Sequence, residues 1–363
     1  MRARSTRLAG IALAAGLGLT SIAACGSNDT SSGSSSGGSA AGGGGKKIAL
    51  LLPESKTTRY ETFDKPLFEA AVKAACADCT ILYSNADQDA AKQQQQAESA
   101  LTQGANVLVL DPVDGKAAAS VVASAKSSNV PVVAYDRFIE GANYYVSFDN
   151  ATVGKLQAQT LVDVMKKNGK TSGDLVMING APTDPNAADF KAGAHSVIDG
   201  SGYKVAAEYD TPDWSPDKAQ SWMDGQISAV KNNLVGVYAA NDGTAGGAIA
   251  ALKGGGVKPL PPVTGQDSEL AAIQRILVGD QAMTIYKPIK PEASAAAAAA
   301  IALANGKTPA KTTDFKSVPS TILSPIAVTK ANVKDTVVKD GIYKVSDICT
   351  GEVAAACTAA GIS

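Results

Sequence analysis

The feature that most constrains the fold is a regular alternation of short apolar runs with longer amphipathic segments after Lys46. Each short apolar run predicts a buried strand, and each longer segment has the apolar spacing of a helix. Strands that alternate with helices of this length form βαβ units, and hence a parallel sheet covered by helices on both faces. The predicted strands are residues 48–52, 80–83, 107–110, 130–135, 144–150, 175–178, 204–209, 234–239, 263–264 and 283–286.

The helical segments and the chain length together predict two α/β lobes. The 363 residues exceed the ~250–300 at which a single hydrophobic core stops growing. We expect an N-terminal lobe of residues 46–148 plus 284–321 and a C-terminal lobe of residues 149–283 plus 322–363. The predicted helices are residues 60–75, 89–103, 116–127, 152–167, 185–198, 216–231, 244–252, 268–278 and the alanine run 295–300.

The N-terminus has the pattern of a targeting segment. Three arginines precede an apolar stretch, residues 8–20, that is too short to span a bilayer as a mature helix. Ile22-Ala23-Ala24-Cys25 resembles the lipobox of bacterial lipoproteins, which predicts a signal peptide over residues 1–24 and lipidation of Cys25. The Ser/Gly-rich residues 25–45 would then be a flexible tether. The alternative is an ordinary secretory signal with an incidental cysteine.

Export would place the other four cysteines in an oxidising compartment. We therefore predict two local disulfides, Cys76–Cys79 and Cys349–Cys357. A thioredoxin-like redox site at Cys76 and Cys79 is the alternative, but the intervening Ala77-Asp78 offers no environment that lowers a thiol pKa. Zinc would require the two pairs to meet in space, and we predict no metal site.

Composition and motif content argue against several function classes. The net charge of -1 gives no electrostatic signature for binding nucleic acid or an acidic membrane surface. The only histidine, His195, lies in the middle of a predicted helix, so no Ser-His-Asp triad can form. Gly306-Lys307-Thr308 lacks the first glycine of a P-loop, and residues 243–247 lack the dinucleotide fingerprint. We predict neither a cofactor nor an enzymatic activity.

Polar side chains collect where the predicted strands end. Ligands of open α/β sheets bind beyond these carboxyl ends, so two facing edges would line a cleft. A mixture of acidic, basic and amide groups suits a neutral polyol, whose hydroxyls both donate and accept hydrogen bonds, while Tyr60 and Trp214 could stack on a sugar ring. For Asp184, Asp213 and Asp267 the alternative role is a helix N-cap. The strand-end candidates are Asp136, Arg137, Asn186, Asn241, Asp267 and Lys287.

Several ordered segments make the resemblance to a family specific. The chain resembles the D-xylose-binding proteins of bacterial ABC importers from about residue 48 to residue 343. The resemblance implies the type I periplasmic-binding-protein fold, with two Rossmann-like lobes joined by a three-strand hinge. The segments that carry it are Ala134-Tyr135-Asp136-Arg137, residues 146–150 with 154–158, residues 241–249, Gly265-Gln266-Asp267, residues 283–288 and residues 335–341.

The same resemblance implies a site and a function. Arg59 matches a sugar-contacting arginine and Trp214 a stacking tryptophan of the family. Departures at Lys56 and Pro185 bear on which sugar is bound. The other matched positions are Tyr60, Asp136, Arg137, Asn186, Asn241, Asp267 and Lys287.

The expected protein is a monomer, lipid-anchored to the outer face of the cell membrane. It captures a monosaccharide, D-xylose or a related aldopentose, for an ABC permease and its ATPase. A sensor that presents bound sugar to a chemoreceptor or histidine kinase is the alternative, and an exported sugar-modifying enzyme is a third class. A LacI-type regulator would need a DNA-binding helix-turn-helix where this chain has a signal and tether.

Overall fold

The computed structural model describes residues 45–362. Twelve strands occur in this part of the chain. They are β1 (Lys47–Leu52), β2 (Thr80–Asn85), β3 (Val107–Leu110), β4 (Val132–Tyr135), β5 (Tyr144–Phe148), β6 (Asp174–Asn179), β7 (Lys204–Asp210), β8 (Leu234–Ala239), β9 (Thr284–Tyr286), β10 (Thr313–Phe315), β11 (Val318–Leu323) and β12 (Ile326–Val328).

Eleven α-helices alternate with the strands or follow them within the described residues. A π-helical turn, Tyr60–Asp64, precedes the first helix. The helices are α1 (Lys65–Ala75), α2 (Ala90–Thr102), α3 (Ala119–Ser127), α4 (Asn150–Lys167), α5 (Pro185–Ile198), α6 (Pro216–Val230), α7 (Asp242–Gly254), α8 (Leu270–Val278), α9 (Ile289–Ala304), α10 (Val345–Ile348) and α11 (Val353–Ala359).

The first lobe is built on a seven-stranded sheet in the order β10-β11-β5-β4-β3-β1-β2. All its pairings are parallel except β10 with β11. Side chains alternate across β1: Ile48, Leu50 and Leu52 belong to the core with α1 and α9, while Ala49 and Leu51 belong to the core with α2 and α3. Both faces are buried, which explains why the strands are apolar runs.

The second lobe contains the parallel sheet β7-β6-β8. The hydrogen-bonded layer continues through residues 263–265 to β9, because Val237 pairs with Val263 and the Ile285 N–H donates to the Gly265 carbonyl at 3.1 Å. β9 then pairs antiparallel with β12. Helices α4 and α5 cover one face of this sheet, and α6 and α7 cover the other.

The chain passes between the lobes three times, as the resemblance implies. The crossings follow β5, β9 and β11, and the Asp149 N–H donates to the Leu323 carbonyl at 3.0 Å, which ties the first crossing to the third. Strand pairing differs from the predicted lobe limits at two places. Residues 284–286 were expected in the N-terminal lobe, but β9 lies with the second sheet. Residues 322–323 were expected in the C-terminal lobe, but Ile322 and Leu323 pair with β5 of the first sheet. We therefore propose crossings near residues 287 and 324. Apolar patterns alone could not give these limits, because they do not identify a strand's partner.

Helices α8 and α3 begin two and three residues later than the sequence predicts. Helix α8 begins at Leu270 instead of residue 268, because Asp267 and Ser268 have left-handed backbone angles, φ 89° and 50°. Helix α3 begins at Ala119 instead of residue 116, after turns. Residues 263–264 form only an isolated bridge with β8.

The C-terminal segment packs on the second lobe. Helices α10 and α11 contribute Ile348 and Cys357 to a core with α8 and β12. Both predicted disulfides are present: Cys76–Cys79 and Cys349–Cys357, with Cα–Cα distances of 5.3 and 5.8 Å. The predicted lipidation site, Cys25, lies outside the described residues. Among the helices of residues 45–362, none has both the length and the apolar character needed to cross a membrane.

Candidate functional site

All nine residues predicted for the site line one cavity between the lobes. The space between its lining atoms, counted together with adjoining open solvent, is about 270 Å³. Most of the predicted residues follow the carboxyl ends of parallel strands, which the two lobes turn toward each other. We call this space the inter-lobe cavity. Its lining consists of Thr57, Arg59, Tyr60, Asp136, Arg137, Asp184, Asn186, Phe190, Trp214, Asn241, Gln266, Asp267 and Lys287.

Four lining residues were missed by sequence reasoning: Thr57, Asp184, Phe190 and Gln266. Asp184 was considered at a strand end, with helix capping as its alternative role, and Gln266 belongs to the recognised strand end Gly265-Gln266-Asp267, but neither was among the nine predicted residues. Phe190 lies four residues after Asn186, one helical turn along α5, and this spacing was the available signal. Thr57 has no neighbouring pattern that would have indicated it.

Arg59 enters the cavity from the π-helical turn and is held by three buried carboxyl groups. Asp64 accepts two hydrogen bonds from its guanidinium, at 2.9 and 2.7 Å, Glu292 accepts one at 2.7 Å and Asp136 one at 3.1 Å. Burial raises the pKa of the Glu292 carboxyl well above its usual value, although Arg59 opposes the shift. Arg59 is therefore fixed in orientation by residues behind the cavity.

Asp136 stays ionised within this charged cluster. Burial by itself would raise the pKa of its carboxyl, but Arg59, Lys287 and Arg137 outweigh burial and lower the pKa to about 2. The Asp136 backbone has φ 54°, and its carbonyl accepts a hydrogen bond from Asn186 Nδ2 at 3.0 Å. Asp136 thus presents a charged acceptor on the first-lobe side of the cavity while its backbone contacts the second lobe.

Arg137 lies next to Asp136 and also reaches across the cleft. Its guanidinium donates to the Pro112 carbonyl and to the Tyr60 hydroxyl, both at 3.0 Å. Its Nε is 2.9 Å from Asp184 Oδ2, close enough for an ion pair but without hydrogen-bond geometry. Burial raises the pKa of Asp184, and Arg137 opposes that shift. The Arg137–Asp184 pair is consequently a direct electrostatic contact between the lobes.

Asp184 does cap α5 as expected, and it also orients Trp214. One carboxylate oxygen accepts from the Asn186 N–H at 2.8 Å, and the other accepts from Trp214 Nε1 at 3.0 Å. The N-cap alternative is wrong for Asp213, because its φ of 58° is left-handed and Ser215 caps α6 instead. It is also wrong for Asp267, because Glu269 is the N-cap residue of α8 and Asp267 itself has a left-handed φ of 89°.

The remaining second-lobe side chains come from three strand ends. Asn241 caps α7 through Oδ1, which accepts from the Thr244 N–H at 2.9 Å, so its Nδ2 is directed away from the capping interaction. Lys287 Nζ is 3.1 Å from Asp267 Oδ1 and 3.9 Å from Asp136 Oδ1. Burial lowers the pKa of Lys287, but Asp267 and Asp136 reverse this and leave it raised.

Two buried amide oxygens at the cavity, Asn186 Oδ1 and Gln266 Oε1, lack hydrogen-bonded partners within residues 45–362. Asp267 Oδ1 accepts no hydrogen bond of good geometry, but it lies 3.1 Å from Lys287 Nζ. Buried polar atoms in native proteins are nearly always paired, so two unpaired acceptors around one cavity indicate a ligand that donates hydrogen bonds. Arg59, Arg137 and Lys287 line the same cavity and carry hydrogen-bond donors.

The fold and this cavity define a class of binding protein. The family model described as a periplasmic binding protein domain matches residues 48–308, nearly three quarters of the chain. The chain belongs to the periplasmic binding protein family, and its type I fold is the one that the sequence resemblance implied.

Individual relatives agree with that assignment. The chain is 38% identical over 311 residues to the D-xylose-binding periplasmic protein of Escherichia coli K12, and the alignment covers 83% of this chain and 92% of that protein. It is 37% identical over 289 residues to the multiple sugar-binding periplasmic receptor of Rhizobium radiobacter, and this alignment covers 72% of this chain and 81% of the receptor. The resemblance predicted from the sequence is confirmed.

A solved structure of similar fold comes from Clostridium phytofermentans. It is an ABC transporter solute-binding protein with bound β-D-glucose, matched with a TM-score of 0.76 and 28% identity over 84% of this chain and all of that one. These relatives are named as binding and transport proteins, not as enzymes.

Proposed function

We propose that this chain is an extracytoplasmic binding protein that captures a monosaccharide in the inter-lobe cavity and delivers it to an ABC importer. D-xylose or a related aldopentose is the proposed ligand, held by the nine predicted residues. The mature protein would be a monomer tethered to the outer face of the membrane by lipidated Cys25. No nucleic acid, metal or cofactor has a part in this proposal.

The observation that carries the proposal is the chemistry of the cavity lining. Two unpaired buried amide oxygens and the Asp267 side chain share the cavity lining with three cations. A phosphate or carboxylate would be repelled by ionised Asp136, whereas each sugar hydroxyl can donate to an acceptor and accept from a cation. The indole of Trp214 adds an apolar ring for the C–H face of a pyranose.

The relatives support the narrower assignment. Two relatives at 38% identity are named D-xylose-binding periplasmic proteins. The signal-like segment, the lipobox-like residues 22–25 and the Ser/Gly-rich tether support export and anchoring.

Capture would involve closure of the lobes about the three crossings. Contacts such as Arg137–Asp184 and Asn186 Nδ2 with the Asp136 carbonyl join the lobes at the cavity. A sugar bound by both lobes would add contacts that only the closed arrangement provides, and this differential binding would shift the population toward it.

Isothermal titration calorimetry of a tether-deleted protein against a panel of pentoses and hexoses tests the proposal. We expect D-xylose or another aldopentose to bind with micromolar affinity, about -8 kcal/mol, and to raise the thermal midpoint. A panel in which no monosaccharide gives heat or thermal stabilisation would refute the sugar assignment. Mass spectrometry of the full-length membrane-extracted protein should find a diacylglyceryl group on Cys25, and an unmodified Cys25 would refute the anchor.

A sensory role is the second candidate, because one relative at 37% identity is named a receptor. Transport predicts that deleting the gene abolishes uptake of the bound sugar. A sensor predicts that uptake persists while a sugar-dependent transcriptional or chemotactic response is lost.

A further inference from the structure

We infer that Asp242, which does not line the inter-lobe cavity, is the positioning residue for the loop that presents Gln266 and Asp267; this inference rests on the proposed function. The side chain is fully buried, at 0% exposure. It follows Asn241 directly, at the first turn of α7, and faces away from the cavity lining into the second lobe. It belongs to the segment 241–249 that carries the family resemblance, but it was not among the predicted site residues.

The carboxylate of Asp242 joins three separate segments. Its Oδ1 accepts from Gln281 Nε2 at 2.7 Å, and its Oδ2 accepts from the Glu269 N–H and from Thr284 Oγ1, both at 2.9 Å. Its backbone N–H donates to the Gln266 carbonyl at 3.0 Å. The loop 265–269, the residues before β9 and the start of β9 therefore converge on one side chain.

Two of these segments carry residues of the cavity lining. Gln266 and Asp267 lie in the loop 265–269, and Lys287 directly follows β9. A shift of the Asp242 carboxylate would thus move acceptors and a cation of the cavity together, although Asp242 touches no ligand.

The loop adopts a conformation that needs such support. Asp267 and Ser268 have positive φ angles of 89° and 50°, which non-glycine residues adopt only when the surroundings hold them. Three successive N–H groups are fixed: Asp267 donates to the Ile285 carbonyl, Ser268 to Thr284 Oγ1, and Glu269 to Asp242. Asp242 is the acceptor for the Glu269 N–H. It also accepts from the hydroxyl of Thr284 and so orients the oxygen that accepts from the Ser268 N–H.

The carboxylate also fits closely against Gly265. A Cβ at that position would lie 2.0 Å from Asp242 Oδ1 and 2.4 Å from Gln281 Nε2, so only glycine allows this approach. Gln281 cannot simply turn its amide around, because its Oε1 accepts from Arg275 Nε at 2.9 Å. The donors around Asp242 are consequently fixed in place.

This geometry defines the test, Asp242→Asn. Burial raises the pKa of the Asp242 carboxyl well above its usual value, although Arg275 and the hydrogen bond from Gln281 oppose the shift. In either orientation the asparagine N–H₂ faces a fixed donor, Gln281 Nε2 on one side or the Glu269 N–H on the other. We expect Asp242→Asn to weaken D-xylose binding at least about tenfold in calorimetry at a temperature where circular dichroism shows the variant folded. Asp217→Asn, the same change on an exposed residue in the first turn of α6, should bind like wild type.

A rescue variant separates positioning from general structural damage. In Asp242→Asn/Gln281→Glu the new amide can donate to the new carboxylate, which still accepts from Arg275 Nε. The change also removes the hydrogen bond from Gln281 Nε2 to the Met283 carbonyl, so Gln281→Glu alone is measured as the reference for that loss. We expect this pair to recover affinity to within about threefold of wild type. A double variant as weak as Asp242→Asn would overturn the inference.

A double-mutant cycle with Asp267→Ala gives the second readout. If Asp242 acts through the loop, Asp242→Asn should weaken sugar binding by less than about threefold in a protein that already carries Asp267→Ala. If the loss of affinity in the double variant instead equals the sum of the two single losses in free energy, the inference is overturned. If Asp242→Asn does not fold, Thr284→Val, which removes one hydroxyl of the same network, takes its place in the cycle. Failure of wild type to bind any sugar in the panel would instead refute the proposed function.

Discussion

Two consecutive left-handed residues, Asp213 and Trp214, place the indole ring at the inter-lobe cavity. Their φ angles are 58° and 53°, and a bulky residue in this region is a genuine outlier that costs on the order of 1–3 kcal/mol. Asp184 holds the indole N–H, and Gly180 lies directly beneath the ring. The tryptophan is thus held in a strained position by the residues around it, which is typical of binding sites.

Gly180→Ala should displace the Trp214 ring and weaken sugar binding. A Cβ on Gly180 would lie 2.0 Å from Trp214 Cη2, a distance that forces the indole to move. Overpacking of this kind costs about 1–3 kcal/mol, so we expect a Kd at least about fivefold higher by calorimetry. In a Trp222→Phe background, the fluorescence of the remaining Trp214 should also change.

The matched control is Gly225→Ala in α6, where nothing lies within 4 Å of the added methyl group. It should leave the Kd unchanged and raise the free energy of unfolding by about 0.5–1 kcal/mol. Normal binding by Gly180→Ala would show that ring stacking by Trp214 does not contribute.

At the scale of elements, helix α5 and edge strand β7 are joined by the only histidine of the chain. His195 Nδ1 is 2.8 Å from Asp199 on α5, and Nε2 is 3.1 Å from Glu208 on β7. Lys191 on α5 pairs with Glu208 and Asp210, and Asn179 on β6 donates to both of these acids. The sequence analysis placed His195 in the middle of a helix and did not predict this bridge.

The bridge predicts a pH dependence of stability. Partial burial lowers the pKa of His195, but hydrogen bonds to Asp199 and Glu208 outweigh it and leave the folded-state pKa raised above 6.5. The protonated bridge therefore stabilises the fold fully below the unfolded-state pKa of ~6.5, and this contribution is lost as pH rises through the higher folded-state pKa. Urea unfolding of wild type and His195→Gln at pH 6 and 8.5 should show a larger difference at pH 6.

Comparison with His195→Gln isolates this effect from that of Glu269. Burial and nearby Asp267 raise the pKa of Glu269 to about 7, so it titrates over the same range in both proteins. The single imidazole also gives one resonance to follow by NMR titration. An imidazole pKa at or below 6.5 would contradict the prediction.

At the scale of the whole molecule, contacts between the lobes extend beyond the cavity. The Gly115 N–H of the first lobe donates to the Thr183 carbonyl of the second at 3.1 Å. A Cβ on Gly115 would lie 3.1 Å from Cγ and Cδ of Pro185, which is tighter than ordinary van der Waals contact. In the proposed closure, the two loops would therefore meet at a contact that includes none of the nine predicted site residues.

Gly115→Val should oppose closure and weaken sugar binding without altering the cavity lining. The clash with Pro185 should cost about 1 kcal/mol or more, which corresponds to a Kd about fivefold higher. Small-angle X-ray scattering should show a smaller decrease in radius of gyration on sugar addition than wild type gives.

Adding Pro185→Ala to the Gly115→Val variant removes the clashing Cγ and Cδ of Pro185. The double variant should recover most of the affinity for sugar. If Gly115→Val bound as tightly as wild type, the Gly115–Pro185 approach would have no part in closure.

The sequence by itself determined the class of fold and most of the candidate site. Apolar runs alternating with helical segments predict parallel sheets because both faces of such strands must be buried. Because parallel strands end at one edge, polar residues such as Asp136, Asn241 and Asp267 could be assigned to a common cleft without knowing their distances. Both disulfides were also predicted, since each joins cysteines close together in the chain.

Only the tertiary structure decided which buried groups support that site. Asp64, Glu292 and Asp242 are ordinary acidic residues in the sequence, and each accepts a hydrogen bond from a residue far away in the chain, Tyr135, Arg59 and Thr284 respectively. The second contact of Asp184, with Trp214, depends on the left-handed turn at residues 213–214. Local patterns record which face of an element is buried, whereas orientation within the site depends on long-range packing, and a single sequence does not specify those partners.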